Sequence, residues 1–160
     1  MWSGCGSRCF KARDVNETIR DLLIAVDTTG EPPSYGWTAE FDRVRAVQSA
    51  LERIAGRRFD LDENVQDATF FTELAIHVPG REAGWIDTVF AIRFSAFGRL
   101  FTNWSHGPER LPEAVEAELI RTVEAAGFRF VPPAAANELY TGRYPGWHGM
   151  TWWSRFFDYL

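Results

Sequence analysis

Residues 69–94, TFFTELAIHVPGREAGWIDTVFAIRF, decide how the rest of this chain is read. Phe70, Thr72, Leu74, Ile76 and Val78 alternate with Phe71, Glu73, Ala75 and His77. After PGREAG, the set Ile86, Thr88, Phe90, Ile92 and Phe94 alternates with Asp87, Val89, Ala91 and Arg93. A period of two marks strands with one buried face. If Val78 faces Ile86, the same register sets Leu74 against Phe90 and Phe70 against Phe94, so both apolar sets share a side. The spacing predicts an antiparallel hairpin, with His77 opposite Asp87 and Arg93 opposite Phe71.

Ala96, Phe97 and Gly98 then suit a three-residue loop with glycine in the left-handed position. Such a loop continues the inner face through Leu100, Thr102 and Trp104 and puts Phe101 beside Arg93. A Phe71, Arg93, Phe101 ladder follows. If exposed, it is a protein-binding patch; covered by the first helix or the final segment, which is the preferred reading, it is satellite core.

On either side of this meander the apolar period changes to that of a helix. Asp14 caps DVNETIRDLLIAVDTTG, in which Val15, Ile19, Leu22, Leu23 and Val26 form a stripe. From about Thr38 to Ala55, Phe41, Val44, Val47, Leu51 and Ile54 form another, ended by Gly56. Pro112 opens a third helix with Glu113 and Glu116 at its positive end, and Leu119 and Val123 in its buried stripe before Gly127. FRFVPP reads as a short strand stopped by two prolines. One helical turn is expected around Glu138 to Tyr140, and TWWSRFFDYL reads as a terminal strand because its rings alternate and no polar helical face is visible. The expected fold is α+β: a two-layer sandwich of a mainly antiparallel sheet, three meander strands plus C-terminal strands, with two or three helices mainly on one face. Residues 1–13 are expected to be a flexible leader and 14–160 one domain.

Composition narrows function chiefly by exclusion. A formal charge of −5 and the lack of a Lys/Arg stripe oppose binding to a phosphate backbone. The chain carries no long uninterrupted apolar run and no signal-like opening, so no membrane association and a cytoplasmic location are expected. Cys5 and Cys9 lack zinc or redox spacing, and no motif calls for a metal or another cofactor.

Three histidines are available for chemistry. His77 with Asp87, and His106 with His148, are the candidate catalytic groups, since an imidazole beside a carboxylate or a second imidazole can manage protons. Structural pairing is the simpler reading of each. Asp60, Asp62, Glu63 and Asp67 form an acidic loop without the glycine and closing glutamate of a calcium loop, and Tyr144 and Trp147 punctuate a Gly/Pro-rich loop. These six are the candidate partner-binding residues. The leading expectation is a non-enzymatic protein-binding module, of the kind represented by bacterial inhibitors or immunity proteins, facing a partner with a basic surface. Alternatives are a small hydrolase or transferase with a cleft between His106 and the 140–148 loop, and an oligomerisation module using the aromatic C-terminal strand. A monomer or weak homodimer is expected.

Overall fold

The computed structural model describes residues 12–28, 32, 36–62 and 70–158. The chain forms α1 (Ala12–Val26), α2 (Trp37–Ala55), β1 (Asp60–Leu61), β2 (Phe71–Pro79), β3 (Ile86–Ser95), β4 (Leu100–His106), α3 (Glu113–Ala125), β5 (Arg129–Phe130), α4 (Pro133–Ala136) and α5 (Trp152–Phe156). One five-stranded sheet runs in the order β1-β2-β3-β4-β5. All neighbours are antiparallel except β4 and β5, which are joined through α3 and run parallel. This is an α+β fold, and β2, β3 and β4 form the expected meander.

The long helices cover one sheet face. Val44, Val47 and Leu51 of α2 and Leu119 and Val123 of α3 pack with Leu74, Ile76, Phe90, Ile92, Phe94 and Phe101 in one buried cluster. Removing these side chains from water is the main drive for this layer, at roughly 1.5–3 kcal/mol for each large one. Gly56, with φ 63°, ends α2 in the left-handed conformation that its position just after the apolar stripe predicts.

The hairpin register differs from the expectation by two residues. Leu74 faces Ile92 and Ile76 faces Phe90, which keeps the buried set on one face because the shift is even. A bulge between Ile76 and His77 then moves the pairing by one, so that His77 faces Thr88 and Asp87 faces Val78. His77 and Asp87 are therefore not cross-strand partners.

At β4 the correction has larger consequences. Phe94 pairs with Phe101 and Arg93 with Thr102, so Ala96, Phe97, Gly98 and Arg99 make the turn, closed by Leu100 N–H donating to the Phe97 carbonyl at 3.2 Å. Both Gly98 (φ 60°) and Arg99 (φ 55°) are left-handed. The loop is one residue longer than the three-residue loop expected, and an odd shift exchanges the faces of a strand. Phe101 consequently enters the α2/α3 core, stacked on Phe94 at 6.2 Å, while Leu100 joins a second cluster.

That second cluster unites Leu23 of α1, Phe97, Leu100, Val131, Ala135 and Ala136 with Tyr140, Trp152, Phe156 and Phe157. The final segment is a helix here and not the expected strand. Thr151 caps it by accepting from Ser154 N–H at 3.2 Å, and Phe157 N–H donates to the Trp153 carbonyl at 2.8 Å. A polar face is missing because the short helix is buried on several sides, a condition under which amphipathic patterning disappears. The preceding helical turn lies at Pro133–Ala136 and not around Glu138 to Tyr140; Leu139 instead bridges Thr151.

Candidate functional site

Thr88 sits between two histidines in one cross-strand row, paired with His77 on β2 and His106 on β4. His77 Nδ1 lies 3.2 Å from Thr88 Oγ1, and both imidazoles are exposed. His148 belongs elsewhere. Its ring packs 6.0 Å from Tyr140 and its Nε2 is 3.3 Å from the Gly142 carbonyl, within the cluster anchored at the β3–β4 turn. His106 ends β4 at the far side of the sheet from that turn, about 20 Å along the strand. The structure thus gathers His77 and His106 and separates His148 from both. Among the described residues no group of three His, Cys, Asp or Glu side chains is placed to hold a metal ion.

The acidic candidates are only partly visible. Asp60 pairs with Ala75 through β1 and is exposed, and Asp62 follows it; Glu63 and Asp67 lie outside the described residues, as do Cys5 and Cys9. Arg53, Arg57 and Arg58 line a depression in the adjoining turn, so charge of both signs meets at this edge.

Tyr144 and Trp147 serve a different purpose. Their rings stand 5.7 and 5.5 Å from the Arg155 guanidinium, and Phe97 and Phe156 complete the enclosure at 4.6 and 5.4 Å. Arg155 Nε donates to Asp27 Oδ1 at 3.0 Å and Nη2 to the Thr28 carbonyl at 2.7 Å. Asp27 Oδ2 accepts from the Tyr140 hydroxyl and, at 3.2 Å, from Arg143 N–H. The Asp27 side chain is fully buried and that of Arg155 nearly so. This ion pair is therefore compensated by a nearly complete hydrogen-bond shell, the condition under which a buried pair is tolerated. Burial, followed by the bond to Asp27, pushes the Tyr140 phenol up to about 12.

A second arginine fastens the same segment to the sheet. Arg93 Nε donates to Glu73 Oε2 at 2.5 Å and Nη1 to the Phe157 carbonyl at 2.6 Å, while Trp104 Nε1 donates to Glu73 Oε2 at 2.7 Å. Phe71, Trp104 and Trp153 surround the guanidinium at 4.7–5.3 Å. The ladder is covered by the final segment, as preferred, but its third ring is Trp104 in place of Phe101. The aromatic C-terminus is thus engaged internally as far as Asp158.

Exposed large apolar side chains stand at two places among the described residues: Leu139 (65% exposed) and Met150 (45%) beside the Leu139–Thr151 bridge, and the β2–β3 turn. Trp85 is 65% and Ile86 64% exposed, and Trp85 lines a cleft of about 330 Å³ with Arg81, Glu82, Asp87 and Pro108. Gly80 N–H donates to the Trp85 carbonyl at 2.8 Å and Trp85 N–H to the Glu82 carbonyl at 3.0 Å, so the tip is internally tied. An alternation followed from Ile86 onward passes over Trp85. The usable signal was two consecutive large apolar residues directly after a turn, since alternation cannot bury both.

The chain matches no family model, no curated protein and no solved structure. Functional assignment therefore rests on these surfaces. No helix among the described residues is long and apolar enough to cross a membrane.

Proposed function

We propose that this chain is a protein-binding domain without catalytic activity, engaging its partner through the β2–β3 hairpin tip. The observation that carries the reading is the adjacent exposure of Trp85 and Ile86 on a turn held by its own backbone hydrogen bonds. Tryptophan on a tied loop supplies a large contact at small entropic cost, which is why it recurs among residues that dominate interface energetics. Arg81, Glu82 and Asp87 give this apolar centre a charged rim, the arrangement of protein interfaces generally. The net charge of −5 favours a partner with a basic surface, steering it electrostatically. An inhibitor or immunity-type antagonist of a basic enzyme is the sharpest form of this proposal.

The test starts with the full chain immobilised in native lysate. A stoichiometric partner is purified and titrated calorimetrically against wild type and a W85S/I86S double variant. Loss of these anchors is expected to weaken binding by about thirtyfold or more, since each dominant contact contributes at least about 2 kcal/mol. Unchanged affinity, with both proteins folded, removes the hairpin tip from the interface.

A further inference from the structure

The parallel strand β5 covers only the first part of the outer edge of β4. Leu100 pairs with Arg129 and Phe101 with Phe130, and the Arg99 and Phe101 carbonyls accept from Arg129 and Val131 N–H groups at 2.9 and 2.8 Å. Pro132 and Pro133 then end the strand pairing, and the chain enters α4, which stays packed against β4. Within a strand, the N–H and C=O of one residue point to the same side and alternate residues point to opposite sides. Arg99 and Phe101 face outward; Asn103 and Ser105 therefore do so too. Among the described residues no strand pairs with them there.

A cleft of about 390 Å³ lies along this stretch, lined by Asn103, Trp104, Ser105, Pro133, Asn137 and Trp153. Successive strand side chains project to opposite faces. A cleft bordered by three consecutive residues of β4 consequently follows the strand's edge and belongs to neither face. Asn103, one of these lining residues, has a buried Oδ1 without a hydrogen-bond partner among the described residues, a state that costs stability until an N–H reaches it. The lining carries no ionisable side chain, so a charged ligand group would lose hydration without gaining a counter-charge. Edges are normally shielded by charge, proline or a covering element; the opposite sheet edge, β1, is two residues long and carries Asp60.

We propose that the outer edge of β4 from Asn103 to Ser105 is a strand-addition site for an extended, uncharged peptide segment of a partner protein. The peptide follows the track that β5 leaves at Val131. Its backbone pairs with the outward amides and carbonyls of Asn103 and Ser105, its small or apolar side chains lie between Trp104 and Trp153, and a donor reaches Asn103 Oδ1. Such main-chain pairing supplies affinity, while the alternating side-chain pockets set specificity. This cleft shares no lining residue with the one at the hairpin tip and is tested separately from it.

Amide hydrogen exchange on the full chain is the first measurement. Asn103 and Ser105 are expected to exchange about tenfold or more faster than Thr102 and Trp104, whose amides face β3. Equal protection of all four overturns the proposal, because the edge is then already occupied. A library of random dodecapeptides displayed on phage is next selected on the immobilised chain. A selected peptide is expected to slow exchange at Asn103 and Ser105 by about tenfold or more, and to lose about tenfold in affinity when alternate backbone amides are N-methylated. Ser105→Pro, which removes an outward donor at a position where edge strands accept proline, is expected to weaken it similarly, whereas W85S/I86S leaves it unchanged. Failure to select any peptide, or selection of peptides indifferent to N-methylation and to Ser105→Pro, overturns the site without touching the hairpin-tip reading.

Discussion

On one face of the sheet, α2 and α3 bury aliphatic and phenylalanine side chains that recur at helical and strand intervals. On the other, short pieces of α1, α4, the 140–148 loop and α5 meet around two arginines, each ringed by aromatic groups. The first face is closed by area, which is non-directional and forgiving of small changes in geometry. The second is closed by directed bonds between groups distant in the chain, 128 positions for Asp27 with Arg155 and 64 for Arg93 with the Phe157 carbonyl. A contact of that kind tolerates neither partner's loss, because the survivor is left charged and dry.

The largest effects should come from breaking this second closure. Asp27→Ala leaves the Arg155 guanidinium among four rings and is expected to cost about 3–5 kcal/mol in urea denaturation. Leu51→Ala, a fully buried residue of the first core, is expected to cost about 3 kcal/mol. An Asp27→Ala cost well below that of Leu51→Ala would mean that the arginine cluster decorates a fold the other core already holds.

Next in size is Tyr140→Phe, which removes a hydroxyl that donates to Asp27 and accepts from Tyr144 N–H at 3.0 Å. About 2 kcal/mol is expected at neutral pH, the scale of a hydrogen bond to a charged group. The pH dependence reports how tightly burial and Asp27 together hold the phenol's proton. The phenol holds its proton more tightly in the folded chain, with its pKa raised from 10.0 to about 12, so the stability it contributes is complete below pH 10 and is lost as pH climbs toward 12. Wild type should therefore lose stability across that window faster than Tyr140→Phe in parallel urea titrations. Equal slopes would show that the phenol's proton is held neither by burial nor by Asp27.

The comparison also explains what could be read from residues alone. The α2 stripe and its glycine stop, the α3 stripe and the alternation of β2 and β3 were legible because each reports a local period. Even a two-residue error in register left the buried set of β2 and β3 on the correct face. The segment TWWSRFFDYL misled because burial on several sides erases the period, leaving only the Thr151 cap with Ser154 as a local helix signal. Arg155 reads as one member of the alternation in that strand, and nothing near it in sequence announces Asp27. Among the candidate site residues, His77 and His106 do share a row, yet through Thr88 and a bulge that no alternation pattern encodes. Tyr144 and Trp147, expected to meet a partner, turn their rings toward an arginine of the same chain.

The smallest expected effect concerns the loop whose length exchanged the faces of β4. Arg99 is the only residue other than glycine with positive φ among the described residues, and a side chain in that region costs on the order of 1 kcal/mol. Its backbone carbonyl accepts from Arg129 N–H, a bond that glycine retains. Arg99→Gly relieves the strain but gives the unfolded chain more freedom, which offsets part of the gain. A net stabilisation of about 0.5 kcal/mol is expected, read as a higher urea midpoint with an unchanged slope. Destabilisation by 1 kcal/mol or more would assign Arg99 a side-chain role in the turn. A four-residue loop with two left-handed positions is thus kept at a small local cost, because the alternative of three residues would expel Phe101 from the core and bring Trp104 in, separating it from Glu73.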